Sequence, residues 1–201
     1  DANPYLVAAV TLAGALHVSR GYEQALGAAL GAVADAAIAS GPQAAVAALA
    51  WLADTDGGRA AVFVPGLGQA SPSRPELAAG ARYAVELVTH EPALAQAVAA
   101  LLDRVVVVEA GVDAALALAQ DEPSLLVVTR DGDVVGRGVM VGGSSGPPSR
   151  IEVGAAIAEA EELIANAPFI RTEQDRLEGY DYLSGRIRMA MQMAFDYDLD
   201  R

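Results

Sequence analysis

The sequence predicts an α/β fold. Segments with apolar residues at helical spacing alternate along the chain with short β-branched runs. The run Val105-Val106-Val107-Val108 has the composition of a strand buried on both faces. Arg130-Asp131-Gly132-Asp133 reads as a hairpin turn, because Asp-Gly supplies the positive φ angles such turns need.

The elements follow in order. Leu26, Leu30 and Val33 recur at helical spacing and predict a helix from Gly21 to Ala37. Ala37-Ile38-Ala39 is a short strand ending at Ser40-Gly41-Pro42, and Gln43 to Ala53 is the next helix. Ala60 to Val64 is a strand stopped by Pro65-Gly66. Residues Gly66 to Gly80 are rich in Gly, Pro and Ser and predict a linker between two halves. The second half repeats the rhythm. Its expected elements are a strand at Ala84–Val88, a helix from Pro92 to Leu102, the valine strand, a helix at Val112–Gln120 and a strand at Leu125–Thr129. A short apolar strand bounded by glycines, Gly138 to Gly143, comes next. Ser149-Arg150-Ile151-Glu152 is a capping-box sequence opening a helix to about Asn166.

Composition narrows the function classes. The chain has 201 residues, enough for one large or two small cored domains. It contains no cysteine, which excludes disulfides and thiolate metal sites and fits a cytoplasmic protein. All 13 basic residues are arginine, so a lysine-dependent phosphate-binding loop is excluded. No run of eighteen residues is apolar enough for a membrane span, and Asp1-Ala2-Asn3-Pro4 lacks the basic start of a signal peptide. The net charge of −13 opposes the approach of nucleic-acid phosphates, which predicts weak DNA binding.

Three ordered blocks carry a family resemblance: Gly21-Tyr22-Glu23-Gln24-Ala25-Leu26 to Gly31, Leu101 to Val108, and Thr129-Arg130-Asp131-Gly132-Asp133 through Gly142-Gly143-Ser144. Together they resemble the hinge domain of structural maintenance of chromosomes (SMC) proteins, in particular actinobacterial members. The resemblance implies two small mixed α/β subdomains flanked by coiled-coil stubs and assembled as a ring-shaped homodimer. The N-terminal half of each subunit would pair with the C-terminal half of its partner. Expected boundaries are an N-terminal helical segment at 1–20, subdomain I with its linker at 21–80 and subdomain II at 81–150. A returning coiled-coil stub at 151–166 and a tail of unassigned role at 167–201 complete the chain. The implied function is homodimerisation within a chromosome condensation and segregation protein associated with the nucleoid. Chromosomal DNA and a kleisin-type subunit are the implied partners of the full-length protein, and the family's ATPase lies in head domains elsewhere. The expected interface comprises Gly132, Gly138, Val139, Met140, Val141, Gly142 and Gly143 against Val62, Phe63 and Val64.

Competing chemistries are weaker. Gly142-Gly143-Ser144-Ser145-Gly146 matches the nucleophile elbow, but Pro147-Pro148 replace the required helix and both histidines, His17 and His90, lie upstream. Gly66-Leu67-Gly68 lacks the following helix of a dinucleotide site. No catalytic residue, cofactor or metal is expected; two histidines without cysteine make a poor zinc set. An alternative function is the binding of a small anion or nucleotide at the glycine loop before residue 150, where a helix N-terminus offers free N–H groups. Arg171, Arg176, Arg186 and Arg188, interleaved with Tyr180 and Tyr182, are the candidate DNA contacts.

Overall fold

The described residues begin with a strand where a helical segment was expected over residues 1–20. In this computed structural model, which describes residues 6–143 and 148–165, Leu6–Thr11 form β1, Leu12–Ala15 a single helical turn α1, and Leu16–Val18 strand β2. The sequence Leu-Val-Ala-Ala-Val-Thr has β-branched residues and no polar stripe, so it suits a sheet better than a solvated arm. The Gly14 N–H donates to the Thr11 hydroxyl at 3.3 Å, which caps α1.

The helix expected from Gly21 to Ala37 is shorter. It runs over Glu23–Leu30 (α2), and a 3₁₀ turn over Gly31–Asp35 follows. Gly31, at φ +49°, is where the α-helix stops. Ala37–Ala39 form β3, Pro42–Asp54 form α3 with Pro42 in its first turn, and Val62–Phe63 form β4. Strands β3 and β4 are parallel, Ala37 opposite Val62, so α3 is their crossover helix. Strand β1 pairs antiparallel with the other side of β3, giving the order β1-β3-β4.

A second sheet holds the main core. Its members are β5 (Ala81–Tyr83), β7 (Val105–Val108), β8 (Leu126–Thr129), β9 (Val134–Gly136) and β10 (Val139–Val141), in the order β10-β9-β8-β7-β5. Strand β6 (Val88–His90) pairs elsewhere. Helix α4 (Ala95–Leu101) precedes β7, and α5 (Val112–Asp121) joins β7 to its parallel neighbour β8. All four valines of β7 are buried, as their composition predicts. Tyr83, Val106, Val108, Ala115, Leu125, Val127 and Val135 form one buried cluster between this sheet and α5. The strand expected at Ala84–Val88 is instead a 3₁₀ turn over Ala84–Leu87 leading into β6. Ala84 and Leu87 are both fully buried, and a 3₁₀ turn brings positions three apart onto one side.

The two halves are tied together in three places. Strands β2 and β6 pair antiparallel, Leu16 opposite His90 and Val18 opposite Val88. Arg130 Nε donates to the Gly21 carbonyl at 3.0 Å and Arg130 Nη1 to Glu109 at 3.1 Å, while the Tyr22 hydroxyl donates to the same carboxylate. The Tyr22 hydrogen bond is the main reason the Glu109 carboxyl lies below its usual range, with Arg130 adding to it and burial opposing it. Gly132, at φ +89°, lies under α2, where a Cβ would come within 3.1 Å of Gln24 Cγ. Residues 1–143 accordingly form one compact unit.

The expected linker is a strap fastened to the second half. Gln96 Nε2 donates to the carbonyls of Gly66 (3.2 Å) and Gly68 (3.0 Å), and the Tyr83 hydroxyl donates to the Pro75 carbonyl (2.8 Å). Arg74 reaches Asp103 at 3.2 Å and stacks over the Tyr83 ring, 5.0 Å from its centroid. Prolines and glycines here prevent regular structure without preventing attachment.

The second unit, residues 144–201, contributes helix α6 (Arg150–Ala165). Its capping box forms as read: the Ser149 N–H donates to Glu152 Oε2 at 2.8 Å and the Glu152 N–H to Ser149 Oγ at 3.3 Å. Ile151, Val153 and Ala160 are buried, whereas Gly154, Ile157 and Glu161 are exposed. Among the described residues no helix is long and apolar enough to cross a membrane.

Candidate dimer interface

Two sheet edges meet the requirements for pairing with another chain. Strand β10 ends the five-stranded sheet; β9 hydrogen-bonds to one side of it, and no described strand covers the other. Its side chains are exposed on both faces, Val139 by 57%, Met140 by 54% and Val141 by 61%. An apolar edge strand with unpaired backbone groups is a template for a further strand. Strand β4 ends the three-stranded sheet, with β3 on one side only. Val62 and Val64 are half-buried there. Phe63 is buried, so its side chain belongs to the core and only its backbone edge faces outward.

The structure redistributes the work of the glycines. Gly132 to Ser144 was expected to contain one turn and one strand; residues 132–143 contain two strands and two different turns. The β8–β9 connection is closed by Thr129 N–H to Asp133 O (2.8 Å) and Gly132 N–H to Thr129 O (3.0 Å). Only Gly132 takes a positive φ there, so this is a turn with a single left-handed glycine and not a two-residue Asp-Gly turn. The two-residue turn lies at Arg137-Gly138, with φ +54° and +78°, between Gly136 and its register partner Val139. Both central residues with φ above zero characterise the type I′ hairpin turn. Asn-Gly and Asp-Gly are its usual signals, which is why Arg-Gly passed unnoticed in the sequence. Gly138 thus serves the hairpin that displays β10. Gly132 is occupied by α2 and does not lie at the exposed edge.

Gly142 serves a different purpose. A Cβ there would overlap Asp133 Oδ1. The same oxygen accepts the Gly143 N–H at 3.3 Å. Asp133 was not singled out by sequence; a lone acidic residue beside a turn glycine carries no distinctive signal. Arg171, Arg176, Arg186 and Arg188, the candidate DNA contacts, lie outside the described residues, as do Ser144 to Pro147 and Asn166. Among the described residues no three His, Asp or Glu side chains gather as metal ligands would.

Residues 9–119, more than half of the chain, match the family described as the flexible hinge domain of SMC proteins. The chain belongs to the SMC hinge family. Chromosome partition protein Smc of Mycolicibacterium paratuberculosis is 44% identical to it over 156 residues, and that of Mycobacterium tuberculosis 38% over 163 residues. These alignments span 74% and 78% of this hinge but only 13% of each relative. The SMC hinge domain of Geobacillus stearothermophilus, solved as an asymmetric dimer, superposes with a TM-score of 0.65 and 25% identity, covering 99% of this chain and 77% of that one. The Pyrococcus furiosus Smc hinge domain with an extended coiled coil shares the fold at a TM-score of 0.55 and 19% identity, covering 94% of this chain and 68% of that one. The family match ends before β8, and the β8–β10 segment is covered by the longer alignments with the mycobacterial relatives and by the structural likeness.

Proposed function

We propose that this SMC hinge is a homodimerisation module. The β10 edge of each subunit pairs with the β4 edge of its partner, twice about a two-fold axis, to close a ring. One observation carries this reading: β10 and β4 each end a sheet with one side unpaired among the described residues, and the β10 edge is apolar and exposed on both faces. A two-fold arrangement satisfies both edges of both subunits with one type of contact. Helix α6 is the start of the returning arm, and its exposed Gly154–Ile157–Glu161 stripe faces solvent where an arm partner would lie. The strand at β1 removes the helical N-terminal arm from residues 6–11. The module works within a chromosome condensation and segregation protein whose ATPase lies in head domains elsewhere and whose full-length partners are chromosomal DNA and a kleisin-type subunit.

The molar mass of the chain in solution tests this. Light scattering across a dilution series is expected to return twice the chain mass at micromolar concentration without added ligand. A monomer throughout would refute the proposal.

Anion binding before residue 150 is not favoured. The Glu152 carboxylate already takes the Ser149 N–H at the α6 cap, where an anion would compete with it. DNA binding is expected to be weak. With a net charge of −13, the chain should show no saturable duplex binding below roughly 10 µM in 0.15 M salt, weaker than much non-specific binding by basic proteins. Fluorescence anisotropy with a labelled duplex measures this, and submicromolar, salt-sensitive binding would contradict it.

A further inference from the structure

We infer that Asp133 is a positioning residue for the dimer interface: its carboxylate ties the end of β10 to β8, and Gly142 is glycine to make room for it. The inference rests on the β10 edge being an interface, and it adds the device that holds that edge in place.

Asp133 precedes β9, the strand between β8 and β10, and its polar groups reach both neighbours. Toward β8, its N–H donates to Thr129 Oγ1 at 2.9 Å, and the Thr129 hydroxyl donates back to Oδ2 at 3.1 Å. Its carbonyl accepts the Thr129 N–H at 2.8 Å. Thr129 is 1% exposed, so this anchor is fixed in the sheet interior. Toward β10, Oδ1 accepts the N–H of Gly143, two residues beyond the strand end. Val141 lies opposite Val134 in the register, so the next pair outward is Gly142 and Asp133. The carboxylate occupies the space a side chain at Gly142 would need.

Gly142 is informative because its backbone does not explain it. Gly138 and Gly143 have φ of +78° and +127°, values that favour glycine, whereas Gly142 does not have a positive φ. The requirement at Gly142 is steric, and the atom imposing it is Asp133 Oδ1. Strand β10 has three residues, all with exposed side chains, so little side-chain packing restrains it in the free subunit. Its position depends on the β9 ladder, the Arg137-Gly138 turn and the Asp133 clasp. A strand held in place before association loses less freedom on pairing.

The test is a double-mutant cycle on the full chain. Sedimentation equilibrium gives the dimer dissociation constant, and amide hydrogen exchange gives the protection of residues 139–143. Asp133→Ala is expected to weaken the dimer about tenfold, the scale of one charge-assisted hydrogen bond, and to speed exchange at Gly143. Asp133→Asn keeps an oxygen facing the Gly143 N–H and is expected to recover most of the loss. Gly142→Ala displaces the carboxylate and should resemble Asp133→Ala, and the double variant should be no worse than Asp133→Ala alone. Wild-type affinity in Asp133→Ala, or full additivity of the two alanine substitutions, would overturn the inference. A monomeric wild type would instead refute the interface reading. Gly143 exchange in Asp133→Ala then still decides the clasp: unchanged protection overturns it, and lost protection upholds it.

Discussion

Replacing Val139 and Val141 together with aspartate is expected to convert the dimer into a folded monomer. The two side chains share one face of β10 and are more than half exposed in the subunit. In the isolated chain the new carboxylates remain hydrated, and the change in subunit stability should stay within about 0.5 kcal/mol. In the proposed dimer they would lie beside a partner strand with no cation among the β4 residues Val62 and Phe63. Each desolvated, unpaired polar group costs roughly 1–3 kcal/mol, and two-fold symmetry repeats the pair. The dimer should therefore weaken by about a thousandfold or more, taking 1.4 kcal/mol per tenfold. Sedimentation equilibrium gives the affinity, and circular dichroism melting at a fixed concentration shows whether the monomer stays folded. A double variant that remains dimeric at micromolar concentration would exclude β10 from the interface. Aspartates report on pairing more directly than substitutions at Gly138, Gly142 and Gly143. Gly138 and Gly143 need positive φ, and Gly142 makes room for Asp133, so changes there disturb the hairpin before they reach any partner.

The elements legible in the sequence are those whose local signal agrees with their burial. Val105–Val108 could only be an interior strand, and Ser149 with Glu152 could be read as a helix start, because both signals are contained in a few consecutive residues. The three-block resemblance named the family, which the match over residues 9–119 bears out. The N-terminal segment is not legible as a strand in the sequence because its context is tertiary. Leu6–Thr11 becomes a strand by pairing with Ala37–Ala39, some thirty residues away. The strap at 66–80 reads as a linker in the sequence because composition reports the lack of regular structure but not the attachments made by Gln96, Asp103 and Tyr83. At the candidate interface the apolar run 139–141 and the glycines were visible. Their division of labour was not, since it depends on Asp133 reaching across a register that only the folded hairpin defines.

Asp103→Asn is expected to cost about 2 kcal/mol at neutral pH, within the range for hydrogen bonds to charged groups, and to cost progressively less in acid. The Asp103 carboxylate is the buried anchor of the strap. Arg74 Nε lies 3.2 Å from it and Arg104 Nε 3.7 Å, and Ser71 adds side-chain and backbone hydrogen bonds. Burial alone would raise its pKa, but the Ser71 and Arg74 hydrogen bonds and the Arg74 charge outweigh that and hold it below 3.8. A carboxyl whose folded pKa lies below its unfolded value stabilises the fold above the unfolded value, and the contribution disappears as pH falls through the folded one. Asparagine does not titrate, so the gap between wild type and variant should be full at pH 7 and narrow below about pH 4. Both arginines are partly exposed, at 26% and 33% of their side-chain surface, which lets water take over after the substitution and keeps the cost below that of a fully buried pair. Urea unfolding at pH 7 and pH 3, at one protein concentration so that association does not shift the midpoint, measures the gap. Proteolysis should also become faster within residues 66–80 of the variant, where the strap loses its anchor. A stability gap that is the same at both pH values would show that Asp103 acts through packing and not through its charge.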